Sequence, residues 1–349
     1  MKTKIQDMTS GSPGRLIILF AIPLMLGNIC QQLYTMVDTM VVGQIAGVEA
    51  LAALGAVDFL MWVVTGISTG LTQGFSIQLS QYYGAKDFEN LRKSLAHSYR
   101  LTAFIAVGVF ILSQSFAALV LTGLHTPSNI IGMSLLYLRI IFCGIPATAA
   151  YNMFAAALRA MGNSKTPLTA MIIASVLNIS LDILFVAGFG WGVAGAAIAT
   201  VIAQSFSAVY CFLILRRIDI VHLSRADFMT AAGMNARLMK LGIPVVFQNI
   251  IIGVGGLVVQ YVINGYGFLF VAGFTATNKL YGLLEMAAIS YGYAIVTYVG
   301  QNLGAGKIDR IRKGVRSSML LSLLTSLIIS IAMFLFGKNI LSLFISGEP

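Results

Sequence analysis

The residues of this sequence that could do chemistry are polar side chains inside long apolar runs. Asp38 lies near the end of one run, and Asn178 and Asp182 share a later one. Because a helix has 3.6 residues per turn, Asn178 and Asp182, which are four apart, lie on one helix face. Oxygen atoms of carboxylates, amides and hydroxyls bind protons or hard cations such as sodium. The pattern therefore predicts a cation site with these members: Asp38, Asn178, Asp182, Thr200 and, nearby, Asn152.

A polar stripe runs along the helix that carries Asp38, and such a stripe cannot face lipid cheaply. At 1.5 Å per helical residue, Asp38 and Asp182 both fall in the outer half of a bilayer, and Thr200 falls near the same level. We therefore expect these helices to be neighbours. The stripe residues recur every three to four positions: Asn28, Gln31 or Gln32, Thr35, and Asp38 or Thr39.

Two buried acids would give the site its mechanism. An ionisable residue within a membrane costs about 2.5 to 3.5 kcal/mol on insertion scales and normally faces a cavity or a partner. Burial and a second carboxylate both disfavour the charged form, so Asp38 and Asp182 would titrate as a coupled pair. Binding of a proton or a sodium ion changes the local charge and can favour one packing of the helices. Pro23, which removes a helix hydrogen bond, is the predicted bend.

Structural roles compete with this interpretation. Asp38 or Asp182 could pair with Arg139 or cap a helix end, and the polar residues beside them could make ordinary hydrogen bonds between helices. Three further charged residues lie within apolar runs. They either line a substrate cavity or form bridges between helices: Asp58, Lys279 and Glu285.

Composition indicates a membrane protein built from helices. Of 349 residues, 58% are hydrophobic and only 10% are charged, and mean hydropathy is +0.88, far outside the range of soluble proteins. A spanning helix takes about 20 apolar residues. Nine such runs are predicted, at about 16 to 42, 51 to 80, 100 to 122, 130 to 158, 167 to 188, 193 to 215, 241 to 265, 269 to 300 and 317 to 337.

The basic residues predict the orientation, because Lys and Arg near helix ends favour the cytoplasmic side. With the amino terminus inside, 19 of the 22 basic residues lie on cytoplasmic segments, the exceptions being Arg139, Lys279 and Lys338. We therefore expect a multi-pass protein of the cell (inner) membrane with a cytoplasmic amino terminus. The net charge of +10 then belongs to a face that meets the lipid bilayer, and we expect no nucleic-acid partner.

An internal repeat predicts two helical lobes. Residues 80–93, SQYYGAKDFENLRK, align with residues 300–313, GQNLGAGKIDRIRK, at an offset of 220. An even number of helices, six, separates the two copies, so both copies enter the membrane from the same side and form parallel lobes. Upstream matches at an offset of 221 pair these residues: Ile22, Pro23 and Asn28 with Ile243, Pro244 and Asn249.

The repeat also sets the expected domains. They are an amino-terminal six-helix lobe at 1–215, a cytoplasmic inter-lobe linker at 216–240 and a carboxy-terminal lobe with three helices at 241–349. Residues 343–349 align with the loop at about 123–128 that follows the third helix of the first copy. The second lobe is therefore expected to be incomplete, either as a fragment or truncated product or with helices supplied by another chain.

Four segments resemble the multidrug and toxic compound extrusion (MATE) transporters of bacteria and archaea. They are residues 158–167, LRAMGNSKTP; residues 178–182, NISLD; residues 193–200, VAGAAIAT; and residues 301–306, QNLGAG. The resemblance implies twelve helices in two six-helix lobes. It also implies efflux of organic cations and amphipathic drugs, driven by an inward flow of protons or sodium. By matching position it assigns the amino-lobe cation site to Asp38, Asn178, Asp182, Thr200 and Asn152, and the bend to Pro23.

Three functions are weighed. The preferred one is a cation-coupled antiporter with no cofactor, a proton or sodium as coupling ion, a small cationic or amphipathic substrate, and a monomeric state when full length. The second is a flippase for a lipid-linked substrate, which would need many basic residues in the cavity, where only Arg139 and Lys279 are available. The third, an intramembrane aspartyl protease using Asp38 and Asp182, lacks an acid signature such as Gly-x-Gly-Asp. A further interpretation is that the chain is incomplete and cannot transport alone.

Overall fold

A computed structural model describes residues 5–124, 126–229, 233–264 and 268–341. These residues are almost entirely helical and contain no strand, which confirms the predicted all-α fold. The first lobe contains α1 (Pro13–Val41), α2 (Val48–Gly84), α3 (Phe88–Gly123), α4 (Ile131–Cys143), α5 (Ile145–Ala160), α6 (Lys165–Asp182) and α7 (Gly192–Leu215). The second lobe contains α8 (Met234–Asn264), α9 (Phe268–Gly304) and α10 (Ile308–Leu341).

Turns and caps in the sequence explain where these helices begin and end. Pro13 begins α1, where its missing N–H costs nothing. Asp87 caps α3 by accepting a hydrogen bond from the backbone N–H of Asn90, 3.1 Å away. Gly162, with a φ of +89°, turns the chain after α5. Short 3₁₀ helices at Asp219–Val221 and Arg225–Phe228 lie between the lobes.

Six helical segments of the described chain are long and apolar enough to cross a membrane, and two bent helix pairs raise the number to eight. The predicted second run bends by 41° between Asp58 and Leu60, and the predicted fourth run is two helices, α4 and α5, that meet at 46°. Gly144 and Pro146 account for the second break, because proline cannot donate a helix hydrogen bond. The run at 269 to 300 falls within α9, much of which lies outside the residues described in full.

α1 is continuous through Pro23. Proline within a membrane helix is tolerated when neighbouring groups take over the freed carbonyl. The bend proposed at Pro23 therefore stays a prediction.

The helices pack through small residues, and large apolar side chains point outward. α2 crosses α8 so closely that a Cβ on Gly74 would overlap the backbone of Gly242. Phe104, Leu323 and Phe334 are 70%, 67% and 90% exposed. This inside-out pattern is the one expected of helices surrounded by lipid.

The bundle has two ends, which we call the amino-terminal face and the opposite face. The amino-terminal face carries the segment before α1, the α5–α6 turn and the α9–α10 turn, which are joined by hydrogen bonds from Gln6 to Gly162 and from Met8 to Gln301. The opposite face carries the α1–α2 turn and the α3–α4 loop, where Asn129 donates to Glu49 at 3.3 Å.

Candidate functional site

The two acids of the predicted cation site lie at the ends of two helices that pack together. Asp38 is in the last turn of α1 and Asp182 is the last residue of α6, and their side chains are 6% and 0% exposed. A π-helical turn follows each acid, at Val42–Ala46 and at Ile183–Gly188.

The structure brings four of the five predicted cation-site residues together. Helix α1 packs on α6, and the charge of Asp38 acts on the carboxyl group of Asp182, so the two acids are near each other. Asn178, which is fully buried, lies one turn before Asp182 and donates from Nδ2 to Oγ1 of the half-buried Thr200 on α7, 3.5 Å away. These four residues, with Tyr137, are called the acid niche below.

Tyr137 of α4 is a member of the niche that sequence reasoning missed. It is 5% exposed, and the charges of Asp38, Asp58 and Asp182 all act on its hydroxyl. A buried phenol normally finds a hydrogen-bond partner, and a carboxylate is a strong acceptor. The available signal was a lone tyrosine hydroxyl inside the apolar run MSLLYLRII.

Tyr34 and Gln204 form a second polar layer beside the niche. Tyr34 lies against Gln31 of its own helix and Gln204 of α7, and it feels the charge of Asp38. Helix α7 therefore contributes two polar side chains to this region: Thr200 bonds to Asn178 of α6, and Gln204 contacts Tyr34 of α1.

Several oxygens in and beside the niche have no hydrogen-bond donor among the described residues. Buried acceptors without a donor are uncommon in folded proteins, and each one calls for an explanation. Four other buried oxygens without a partner in the described chain lie along α2 and α3. The five in and beside the niche include both acids, and oxygens of this kind are the ligands that a proton or a sodium ion requires. The oxygens are Asp38 Oδ1, both Asp182 carboxylate oxygens, Asn178 Oδ1 and Gln204 Oε1.

Asn152 has a partner elsewhere. Its Nδ2 donates to Oγ1 of Thr69 on α2, 3.2 Å away, so its described contact joins α5 to α2.

The residues of the polar stripe on α1 do not share one set of partners. Asn28 donates to Oγ of Ser290 on α9 at 3.1 Å, whereas the hydroxyls of Thr35 and Thr39 bond back to their own helix.

The three charged residues predicted as possible cavity lining fall into different settings. Asp58 lies at the bend of α2, is exposed, and interacts electrostatically with Asp38. Glu285 is an exposed residue of α9. The side chain of Lys279 lies outside the described residues.

The competing structural roles of the acids gain no support. Ion pairs within 4.0 Å in the described part of the chain join Arg92 to Asp227 and Lys93 to Glu89, and neither involves a niche carboxylate. Arg139 is exposed, and its carbonyl accepts a hydrogen bond from Gln114. No group of three or more His, Cys, Asp or Glu residues is placed to hold a metal ion in the described ranges.

Comparison with known proteins identifies the family. The profile of the MatE family matches residues 23–184 and, separately, 244–349, one stretch in each lobe. The chain belongs to the MatE family. Since its members are multidrug efflux transporters, this chain is a member of a transporter family rather than an enzyme.

Individual MATE relatives agree along nearly the whole chain. The probable multidrug resistance protein YpnP of Bacillus subtilis is 31% identical over 99% of this chain and 77% of its own length. The probable multidrug resistance protein YoeA of the same organism is 29% identical over 98% of this chain and 76% of its own length.

Solved MATE structures share the fold. The crystal structure of a MATE transporter in complex with MaL6 superposes with a TM-score of 0.93 at 23% identity, over 99% of this chain and 78% of that one. The outward-facing conformation of a multidrug resistance MATE transporter gives a TM-score of 0.92 at 23% identity, over 100% of this chain and 78% of that one. This likeness confirms the predicted helical lobes of the twelve-helix MATE fold.

Proposed function

We propose that this chain is a cation-coupled antiporter that exports organic cations or amphipathic drugs by alternating access. The observation that carries the proposal is the acid niche, where two buried carboxylates and an amide oxygen lack donors from the described chain. The names of the relatives, which include probable multidrug resistance proteins and multidrug export proteins, support the substrate class.

Each niche residue has a separate role in ion binding. Asp38 and Asp182 hold the ion, either by sharing a proton or by coordinating sodium. Asn178 and Thr200 supply neutral oxygens, and the proposed role of the Tyr137 hydroxyl is to donate to a carboxylate that has lost its ion. Because like charges repel in a buried site, one bound cation stabilises the pair.

The niche reaches the lobe interface through α1. This helix packs on α6, which carries Asp182, and also on α9 and α10 of the second lobe. Asn28 links α1 to Ser290 of α9 about ten residues before Asp38. A change of charge at Asp38 therefore acts on a helix shared by both lobes, and Pro23 is the proposed place where that helix bends.

Membrane orientation and domain boundaries complete the proposal. The amino-terminal face, which carries most of the basic residues, is placed on the cytoplasmic side of the cell membrane. The proposed units are the lobe at 1–215, the linker at 216–240 and the carboxy-terminal lobe at 241–349. The closed amino-terminal face then corresponds to an outward-facing state.

Reconstituted vesicles test the proposal. The protein is inserted into liposomes loaded with a cationic dye, and dye movement is followed after a proton or a sodium gradient is imposed, one at a time. Dye movement should follow one of the two gradients and stop in Asp38→Asn. Asp309→Asn, an exposed acid at the start of α10, is the matched control and should transport normally.

Two results would overturn the proposal. One is gradient-driven dye movement that survives in Asp38→Asn. The other is movement in the unmodified protein that responds to neither gradient.

A further inference from the structure

Two segments that precede a helix lie across the amino-terminal face. We call residues 5–12, which lead into α1, the first strap, and residues 224–229, shortly before α8, the second strap. Each strap continues into the first helix of one lobe and contacts the other lobe.

The first strap is anchored in its own lobe and fastened to the second. The Gln6 N–H donates to the carbonyl of Gly162, 3.2 Å away, in the α5–α6 turn. Two residues on, the Met8 N–H donates to Oε1 of Gln301 at 3.0 Å, and Nδ2 of Asn302 donates to the Met8 carbonyl at 3.0 Å. Met8 is fully buried by these contacts.

Basic side chains of the second lobe hold the backbone of the first strap. The Arg310 guanidinium donates from Nη1 to the Gly11 carbonyl at 2.9 Å and from Nη2 to the Met8 carbonyl at 3.3 Å. Lys307 Nζ donates to the Thr9 carbonyl at 2.9 Å. A forked cation bonded to two carbonyls is a strong and directional contact.

Asp7 orders the turn that presents these carbonyls. Burial acts to raise its pKa, but hydrogen bonds from Thr9 and Ser10 and the charge of Lys307 outweigh burial, so the pKa of Asp7 lies below its usual range. The carboxylate is therefore stabilised in the form that accepts from Thr9 N at 2.7 Å.

The second strap makes the reciprocal connection. The Phe228 carbonyl accepts from Nη1 of Arg100 on α3 at 3.4 Å, and the Met229 carbonyl accepts from Nε2 of His97 at 3.2 Å. Asp227 lies 3.9 Å from Arg92 and also accepts from the backbone and the hydroxyl of Ser224. A strap that leads into the second lobe is thus fastened to the first.

The two connections are related by the internal repeat. At the offset of 221, Gly14 of α1 corresponds to Asn235 of α8, and at the offset of 220, His97 of α3 corresponds to Ser317 of α10. The structure places both equivalent pairs in contact. A Cβ on Gly14 would lie 3.7 Å from that of Ser317, and Nδ1 of His97 lies 2.7 Å from Oδ1 of Asn235.

Between the straps the two lobes touch backbone to backbone. A Cβ on Gly84 at the end of α2 would overlap the carbonyl oxygen of Gln301, and a Cβ on Gly304 at the end of α9 would overlap that of Gln81. These are again repeat-equivalent pairs, at the offset of 220. The amino-terminal face is therefore closed by these symmetric backbone contacts between the lobes, which we call the closed seam. Each strap crosses from one lobe to the other beside them.

We propose that the two straps are paired latches that keep the amino-terminal face shut and must release their carbonyls from Arg310, Lys307 and Arg100 before it opens. The inference rests on the proposed alternating-access function and adds the elements that hold one of its states. Each latch belongs to one lobe and grips the beginning of the third helix of the other, so separation of the lobes stretches both.

Cysteine accessibility tests the latches without transport. Ser290→Cys, at the contact between α9 and α1, is introduced after Cys30→Ser, Cys143→Ser and Cys211→Ala. A water-soluble maleimide then reports how often this interface opens. Arg310→Gln and, separately, Arg100→Gln should raise the labelling rate on the order of ten-fold, because each removes charged hydrogen bonds from the closed state.

Arg312→Gln is the matched control, since Arg312 is an exposed residue of the same helix as Arg310. Labelling in this variant should stay at the parent rate. Unchanged labelling in both Arg310→Gln and Arg100→Gln would overturn the latches. Dye efflux measured in parallel separates the two proposals, because a failed latch leaves gradient-driven efflux of the unmodified protein intact.

A reversible cross-link provides a second test, which does not depend on the folding of the arginine variants. Thr9→Cys and Lys307→Cys, in the same background without native cysteines, are joined by a short bifunctional thiosulfonate. Cross-linking should stop the dye efflux of the double-cysteine variant, and a reductant should restore it, whereas the same reagent should leave the efflux of each single-cysteine variant at its own untreated rate. Efflux that continues at the same rate with the strap cross-linked would also overturn the proposal.

Discussion

The acid niche and the contact between the first strap and the end of α9 are both polar regions between helices, but their hydrogen bonding is opposite. In the niche, buried oxygens of Asp38, Asn178 and Asp182 lack donors from the described chain. At the strap contact, Gln301 and Asn302 are equally buried, yet their side chains bond to Met8, Ala160, Tyr298 and Arg310.

This difference distinguishes a region suited to bind a cation from a region that fixes one arrangement of the helices. Satisfied networks fix one arrangement, because breaking them leaves buried polar groups unpaired. Unsatisfied acceptors next to two like charges lower their free energy by taking up a cation. We infer that the niche senses the ion and that the strap contact stores the conformation that the ion controls.

The largest effect is expected from removing a niche charge. Asp38→Asn and Asp182→Asn should each lower the initial rate of gradient-driven dye efflux at least about ten-fold, because the ion loses one of its two charged ligands. The double variant should be little worse than either single one, since the two acids act as a unit. Additive losses would show that the acids work separately and would weaken the contrast between the two regions.

The second-largest effect is expected from substitutions that push the two lobes apart at the closed seam. Gly84→Ala or Gly304→Ala places a methyl group on a backbone carbonyl and should lower the stability of the closed state by about 1 to 3 kcal/mol. The check is a faster maleimide reaction at Ser290→Cys and a lower unfolding temperature in detergent. Gly108→Ala, where a Cβ meets nothing within 4 Å, is the control and should change neither value.

A smaller change is expected from a neutral ligand of the niche. Asn178→Ala removes the amide that bonds to Thr200 and offers one unpaired oxygen. The ion concentration that gives half-maximal efflux should rise about 5- to 30-fold, corresponding to roughly 1 to 2 kcal/mol. Ser180→Ala on the same helix, whose hydroxyl bonds back to Val176, should match the parent protein.

The smallest effect is expected at Asn152. Because its described contact is with Thr69 rather than with the acids, Asn152→Ala should change the half-maximal ion concentration less than about two-fold. A shift as large as that of Asn178→Ala would extend the niche to α5.

The sequence predicted the helical class and the MATE family, and both are confirmed. It also predicted the meeting of Asp38, Asn178, Asp182 and Thr200, which the structure brings together, because polar spacing within apolar runs is visible in one dimension. Tyr137 was missed because a tyrosine in a membrane helix gives no pattern of its own. The breaks at Asp58–Leu60 and at Gly144 were also missed, since hydropathy follows length and not direction.

The hydrogen bonds of the two straps could not be predicted from the sequence, for a different reason. The bonds that Arg310 makes to the first strap join residues 299 and 302 positions apart, and those that Arg100 and His97 make to the second join residues 128 and 132 positions apart. All of them end on backbone carbonyls, which carry no residue signature. The repeat offsets relate Gly14 to Asn235 and His97 to Ser317, but the contacts between these residues are seen only in the structure.

Infrared difference spectroscopy of the purified protein tests ion binding at the niche most directly. Spectra recorded between acidic and alkaline samples, and with and without sodium, report changes at individual carboxyl groups. We predict ion-dependent carboxyl bands in the unmodified protein and in Asp309→Asn that are missing from both Asp38→Asn and Asp182→Asn. An unchanged difference spectrum in the Asp38→Asn, Asp182→Asn double variant would contradict the central claim.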